Sequence, residues 1–331
     1  MYFLAFTISE IQINNHDICK NHDSYKKLYI CTRKYRRMKI ALFAKKTGDG
    51  FIEAFNFFMK ELSLREFRIS LYQPFYQDIS RSFHFDTPFT LFSSCEELKS
   101  LSPDVFISFG GDGTILDALE LIQDTLIPVL GVNFGRLGFL SATSAEEFGE
   151  ALDQLLNKEY EIDSRALLRL TTEENPFATF NYALNEITIL NSYPSKMLSI
   201  GVWIDDYFLN NYWGDGLIVA TPTGSTAYSM SCGGNILTPS SKNLIITPIA
   251  PHNLSIRSLV ISEDSKIKIR VHENRYDSYT IVLDSRTRKI TKPVDIFIEK
   301  EKFDFNLVRL NGKEFFQTLR NKLLWGLDKR N

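Results

Sequence analysis

Val105-Phe106-Ile107-Ser108-Phe109-Gly110-Gly111-Asp112-Gly113-Thr114-Ile115-Leu116-Asp117-Ala118-Leu119-Glu120-Leu121-Ile122 reads as a buried strand, a glycine turn and a helix in succession. A strand-to-helix turn of this kind presents unpaired backbone N–H groups and the positive end of a helix dipole, and residues without Cβ let a polyphosphate approach the main chain. Asp112 is the odd member, because a carboxylate repels phosphate. It suits a different task, holding a divalent cation or accepting a proton from an attacking hydroxyl. A plainer reading is also open, in which Gly-Gly-Asp-Gly is a tight turn and Asp112 caps the helix. Thr47-Gly48-Asp49-Gly50 shows how little a bare Gly-Asp-Gly specifies: it follows the strand-like Ile40 to Ala44 and reads as a loop before a helix.

Outward from this stretch, strand-like and helical runs alternate from Met38 to about Leu137. Phe51 to Glu66 is amphipathic and Pro128 to Val132 is strand-like. Alternation predicts a parallel, doubly wound, Rossmann-like sheet. Ser144-Ala145-Glu146-Glu147 reads as a capping box for a helix reaching about Leu156. Beyond Tyr160 the runs become short and rich in Ile, Val, Thr and Tyr: Leu167 to Thr171, Tyr182 to Leu190, Leu198 to Ile204, Lys266 to Val271, Tyr279 to Leu283 and Val294 to Ile298. They predict an all-β domain, a sandwich. The fold class is therefore α/β plus all-β: an α/β domain over 38–140, a β-rich domain over 141–304, and residues 305–331 returning to the first, with a helix at Glu314 to Leu324 packing back on it. Residues 1–37 read as a poorly ordered, dispensable extension, since Met38 opens the first strand directly.

The chain of 331 residues is 44% apolar and 24% charged, with a formal charge of -2, which is ordinary globular composition and gives no long-range attraction to nucleic acid or acidic membranes. The one basic cluster, Arg33 to Arg37, lies outside the motifs. Cys19, Cys31, Cys95 and Cys232 lack Cys-x-x-Cys spacing, which argues against a zinc site and for reduced thiols. Without a membrane-length apolar stretch or a basic flank before the N-terminus, the expected address is the cytoplasm.

A second motif lies about a hundred residues beyond the first: Gly214-Asp215-Gly216-Leu217-Ile218-Val219-Ala220-Thr221-Pro222-Thr223-Gly224-Ser225-Thr226-Ala227-Tyr228-Ser229, continuing to Ser231 and Gly234. Six hydroxyl side chains within nine residues, Thr221 to Ser229, suit a polar ligand with many hydrogen-bonding groups. An ordinary loop has the same look. Between the motifs, Asn185-Glu186 interrupts the apolar run Tyr182 to Leu190; a functional interruption and an edge strand with one solvated face both fit.

Gly110 to Thr114, Asn133 to Leu140 (Asn-Phe-Gly-Arg-Leu-Gly-Phe-Leu), Asn185-Glu186 and Asp215 to Gly234 follow in the order and spacing of the NAD kinases, which the chain resembles from Met38 to Val260 and more weakly to its end. The first motif is shared with diacylglycerol and sphingosine kinases, and a close relative occurs in phosphofructokinases. The long second motif is far more specific. The resemblance implies transfer of the ATP γ-phosphate, with a divalent cation such as Mg2+, to the 2′-hydroxyl of the adenosine ribose of NAD. Asp112 would be the base. Gly110, Gly111, Gly113, Thr114 and Arg136 would hold the phosphates. Asp112, Gly113, Asn185, Glu186, Lys196 and Asp215 would bind NAD, together with Thr223, Thr226, Ala227, Tyr228, Ser229 and Ser231. NAD and ATP are the expected partners, with neither nucleic acid nor membrane, and a dimeric or tetrameric homo-oligomer is the expected assembly.

The chain departs from the pattern of the NAD kinases at Trp213, where many members carry Arg, at Asn235, where Pro is common, and at Ser285-Arg286, where Gly-Gln is common. Two other readings remain at this point. A non-catalytic dinucleotide sensor would keep the NAD pocket, and a lipid kinase would share the first motif and need an apolar acceptor site.

Overall fold

The computed structural model describes residues 37–45, 51–81, 83, 88–135, 137–192, 197–272 and 278–325. Residues 1–36, the Thr47 to Gly50 loop, Arg136 and Lys196 lie outside the described residues.

Five parallel strands, Lys39–Phe43, Arg68–Tyr72, Phe89–Phe92, Val105–Phe109 and Val129–Asn133, form one sheet with the spatial order third, second, first, fourth, fifth. All five residues of Val105–Phe109 and of Val129–Asn133 are buried, because helices cover both faces of a parallel sheet. Helix Phe51–Ser63 turns Phe51, Phe55, Phe58, Met59 and Leu62 inward at helical spacing, and the Phe58 ring stacks on Phe109 at 4.8 Å. Past the fifth strand, Phe305–Leu310 pairs parallel to Val129–Asn133, and Tyr160–Arg165 closes that side antiparallel. After the sandwich the chain thus rejoins the first sheet beside its fifth strand. Helix Phe315–Leu323 follows, burying Leu319 and setting Phe315 against the Phe139 ring at 6.3 Å.

The remaining strands form a sandwich of two six-stranded antiparallel sheets. One runs Leu259–Ser262, Asn243–Ile249, Gly216–Ala220, Glu186–Asn191, Tyr279–Leu283, Arg286–Ile290. The other runs Tyr207–Gly214, Leu198–Ile204, Ile267–Val271, Asp295–Lys300, Leu168–Thr171, Tyr182–Ala183. Alternate side chains from both, among them Leu170, Ile189, Ile200, Val219, Ile269 and Ile281, meet in one apolar core. The expected architecture of Rossmann-like sheet, sandwich and returning helix is the observed one.

Two local expectations change. The run Tyr182 to Leu190 is not one strand: Tyr182–Ala183 pairs in one sheet and Glu186–Asn191 in the other, so Leu184 and Asn185 form the corner where the chain changes sheets. Glu186–Asn191 lies between two neighbours, which removes the edge-strand reading. The helix expected after Ser144 begins only at Phe148; Glu147 still reaches back to the Ser144 N–H at 2.9 Å, half of a capping box, but a turn intervenes.

Candidate active site

Gly110 and Gly111 form the turn between Val105–Phe109 and helix Asp112–Ile122, with Gly111 at the N-cap and Thr114 packed over Gly110. No side chain caps this helix, so its first N–H groups are left to face whatever approaches the turn. The capping role considered for Asp112 is therefore not the one it performs. Its carboxylate turns instead to the loop after Asn133. Phe139 donates its backbone N–H to Oδ2 at 2.8 Å, while Leu140 and Ser141 donate theirs to Oδ1 at 3.1 and 2.9 Å, and the Ser141 hydroxyl donates to Oδ1 at 2.8 Å. Gly138 makes room for this: a Cβ there would stand 1.7 Å from Oδ1. Oδ1 is saturated by three donors, whereas Oδ2 accepts one and keeps a lone pair.

The second half of the site is built at the sheet-changing corner. The backbone N–H groups of Leu184, Asn185 and Glu186 all donate to the Asp284 carboxylate at 2.9, 2.8 and 3.2 Å, and Asp284 returns its own N–H to the Glu186 carbonyl. Arg286 braces the same corner, lying on the Phe180 ring at 3.6 Å and donating to the Phe180 and Tyr182 carbonyls. Arg286 thus holds backbone through its guanidinium. Thr221 completes the corner by donating its hydroxyl to the Leu184 carbonyl at 2.6 Å and its N–H to the Asn185 carbonyl at 2.9 Å. Gly224 packs so closely that a Cβ would come within 2.1 Å of the Asn185 carbonyl oxygen.

Of the hydroxyls that the second motif contributes, most are spent internally. Thr223 accepts from Arg165, Ser225 bonds Pro222 and both backbone groups of Leu237, and Thr226 donates to the Thr223 carbonyl. Ser229 is fully buried on Thr247 at 2.8 Å. Asp215, Tyr228 and Ser231 are exposed, Ala227 is half-buried, and Tyr228 lies close enough to Asp215 and Glu186 to feel both charges. Burial pushes the Cys232 thiol up, against a hydrogen bond with the Tyr228 side chain that pulls the other way.

Glu186 is the unusual group. Only 8% of it is exposed, one side of its carboxyl meets the Tyr228 backbone N–H, and Oε2 has no hydrogen-bond partner among the described residues. Burial first, and then the neighbouring Asp284, push its pKa up to about 8. Burial raises Asp284 as well, against the pull of three amides and the Arg286 charge. A raised carboxyl pKa means that the folded protein holds a proton which the unfolded chain has lost. Stability from this group is full below the ordinary value near 4.5 and is lost as pH rises through about 8. Urea unfolding should show Glu186→Gln gaining on the parent protein as pH rises across that window; parallel stability curves would contradict the assignment.

One apolar cluster joins the two halves. Ile115, Ala118, Leu119 and Ile122 of the helix that Asp112 begins pack with Leu167, Tyr182 and Leu184 of the sandwich and with Phe305 and Leu307. Leu184 immediately precedes Asn185-Glu186, so the cluster joins the helix that Asp112 begins to the corner that carries the Glu186 carboxyl. The sequence singles out Asp112, Asn185 and Glu186 as candidates, but neither Asp284 nor the Phe139 to Ser141 amides that hold them is visible in it. A carboxylate that organises backbone from about a hundred residues away leaves no local pattern.

The geometry agrees with known proteins. The ATP-NAD kinase N-terminal domain family matches residues 36–160 and the ATP-NAD kinase C-terminal domain family matches residues 184–310. A NAD kinase of Cytophaga hutchinsonii is 42% identical over 243 residues, 73% of this chain and 82% of that protein. A NAD kinase of Christiangramia forsetii is 38% identical over 296 residues, 89% of this chain and all of that one. The crystal structure of an NAD kinase from Archaeoglobus fulgidus in complex with ATP superposes with a TM-score of 0.64 at 28% identity, covering 87% of this chain and 99% of that one. Yeast NADH kinase, solved with NADH, shares the fold at a TM-score of 0.79 over 89% of both chains, with 22% identity. The second motif falls inside the C-terminal match, and with both halves accounted for the chain belongs to the NAD kinase family.

Proposed function

We infer that the chain transfers the γ-phosphate of ATP to the 2′-hydroxyl of the adenosine ribose of NAD, giving NADP and ADP. The observation that carries this reading is the apolar cluster binding the Asp112 helix to Leu184, which ties a free carboxylate lone pair to the buried Glu186 carboxyl. A carboxyl group with an unused oxygen suits a vicinal diol or an adenine amine, the groups by which proteins hold an unphosphorylated adenosine. In the transfer, Oδ2 of Asp112 takes the 2′-hydroxyl proton as the ribose oxygen bonds to the γ-phosphorus, and the bond from that phosphorus to the bridging oxygen breaks to release ADP. Gly110, Gly111, Gly113 and Thr114 hold the phosphates through the helix N-terminus, and Arg136 adds charge. Asn185, Glu186 and Tyr228 meet the adenosine, and Asp215, Thr223, Thr226, Ala227, Ser231 and Lys196 line the rest. Ser229 serves by shaping the loop from inside.

No three His, Cys, Asp or Glu side chains gather into a cation cage among the described residues. A divalent cation such as Mg2+ would be the cofactor of the transfer, neutralising charge on the transferring group. A homo-oligomer is part of the same reading, supported by the exposed Tyr207, Phe208 and Trp213 on the strand at one end of a sheet. So is a cytoplasmic address, supported by the free thiols of Cys95 and Cys232. No described helix is long and apolar enough to cross a membrane.

The test is direct. Purified full-length chain with ATP, Mg2+ and NAD should form NADP, detected by an NADP-specific dehydrogenase; absence of NADP while NAD still binds in calorimetry would leave a dinucleotide-binding protein and overturn the kinase reading.

A further inference from the structure

Arg165 is the last residue of Tyr160–Arg165, the strand that closes the first sheet, and the sandwich strand Leu168–Thr171 follows almost at once. It therefore stands where the chain crosses from one half to the other. The return crossing runs beside it, with the Glu301 N–H donated to the Leu167 carbonyl at 2.8 Å before Phe305–Leu310 rejoins the sheet. Asp163 lies two residues back on the same strand, and so on the same face, and accepts from Arg165 Nη2 at 2.7 Å. The other arm of the guanidinium leaves the sheet altogether. Nη1 donates to the Thr223 hydroxyl oxygen at 3.2 Å, 58 residues further along the chain in the second motif.

Stability alone does not account for a guanidinium in this place. Only 7% of Arg165 is exposed, and its Nε has no hydrogen-bond partner among the described residues. Desolvating such a group can cost more than its pairing offsets, and an apolar side chain of similar volume often fills the space with no loss of stability. What an apolar side chain cannot do is fix Thr223 by direction. A planar fork with one arm held by Asp163 presents the other at a set angle. The second motif has need of that hold. On its sandwich side Thr221 and Gly224 tie it to Asn185, but beside it lies a cavity of about 580 Å³ whose walls include Asp163, Arg165, Thr238 and Ser240. Leu237, next to Thr238, bonds Ser225 of the motif through both of its backbone groups, so a shift toward this space would carry the motif with it. Arg165 pins the motif from the first sheet against that shift.

We propose that Arg165 is a positioning residue for the acceptor: acting through Thr223, it fixes where the second motif stands relative to the first sheet, and so where the motif's residues meet NAD. The proposal rests on the kinase reading for the identity of the ligand and adds to it a residue outside both motifs.

Calorimetry with NAD and steady-state kinetics, both on the full chain, test it. Arg165→Met keeps the stem and removes the fork, so NAD affinity should fall about tenfold and KM for NAD rise with it, while turnover at saturating NAD stays within about threefold of the parent. A merely structural role would lower the folded fraction, and with it the apparent turnover, and leave KM unmoved. Arg165→Lys keeps a cation for Asp163 and so guards against a variant that does not fold. Its single ammonium cannot serve both partners as the fork does, and it should bind NAD more weakly than the parent and more tightly than Arg165→Met. Thr223→Val removes the accepting oxygen at nearly constant volume. Combined with either Arg165 variant it should weaken NAD binding by much less than the sum of the two single losses, because both changes remove the same bond. NAD affinity and KM equal to the parent's in both Arg165 variants would overturn the proposal, and so would free-energy losses that add in full in the double variant. A parent protein that bound NAD but made no NADP would fail the kinase reading and leave the affinity test of Arg165 standing, whereas one that bound no NAD would overturn both.

Discussion

Asp112→Asn should lower turnover by about a hundredfold or more, the usual contribution of a positioned proton acceptor, while NAD affinity changes little. The structure adds a second consequence. The carboxylate accepts from three backbone N–H groups and one hydroxyl of Phe139 to Ser141, using both oxygens. An amide offers one acceptor oxygen, so if that oxygen takes the crowded place of Oδ1, its NH2 group confronts the Phe139 N–H and the loop must shift. Asp112→Asn should therefore also lower the melting temperature, and Ser141→Ala separates the two effects. It deletes one of three donors to Oδ1 without touching Oδ2, so it should cost stability with far less loss of turnover. Near-normal turnover in Asp112→Asn would remove Asp112 from the role of base.

Asp284→Ala carries the other large effect. Three backbone N–H groups at the sheet-changing corner lose their acceptor together, and buried donors left unmade cost about 1–3 kcal/mol each. Asp284 also sits at φ 52°, a left-handed conformation that Asp and Asn adopt more readily than Ala. The variant should be destabilised by several kcal/mol in urea unfolding, and NAD affinity should fall about tenfold or more because Asn185 and Glu186 lose their fixed backbone. Asp284→Asn keeps an acceptor for Asn185 and Glu186 and tolerates the same φ, so it should recover part of both losses. Equal NAD affinity in parent and Asp284→Ala, measured where both are folded, would show that the corner does not position the ligand groups.

How much of this was legible depends on how far along the chain each cause acts. The strand, turn and helix around Gly110 are set by neighbours in sequence, and reading them gave the parallel sheet and the place of Asp112. The sandwich followed from short β-branched runs, and Asn185-Glu186 stood out as polar residues in an apolar run. What that interruption does was hidden: no Gly or Pro in Tyr182 to Leu190 signals a turn, and the break at Leu184 and Asn185 is imposed by Asp284 and Thr221 from distant parts of the chain. The direction of the Asp112 side chain was hidden for the same reason, since its partners lie 27 to 29 residues on. Hydroxyl density has a second use, because Ser and Thr side chains in a tight loop satisfy buried backbone as readily as ligand, and Thr221, Ser225 and Thr226 are used that way, while Ser229 bonds the Thr247 hydroxyl. Arg286, a departure from the pattern of the NAD kinases, braces backbone by donating to the Phe180 and Tyr182 carbonyls.

The central claim is that the acceptor ribose lies between the Asp112 carboxylate and the Asn185-Glu186 corner. A crystal structure with NAD and a non-hydrolysable ATP analogue measures it most directly. The account predicts the 2′-oxygen of the adenosine ribose about 3 Å from Oδ2 of Asp112, or joined to it by one water, with the γ-phosphate over the Gly110 to Gly113 turn and the Glu186 carboxyl on the adenosine. A closed complex with that ribose beyond the reach of a single bridging water would contradict the mechanism, even with both nucleotides bound.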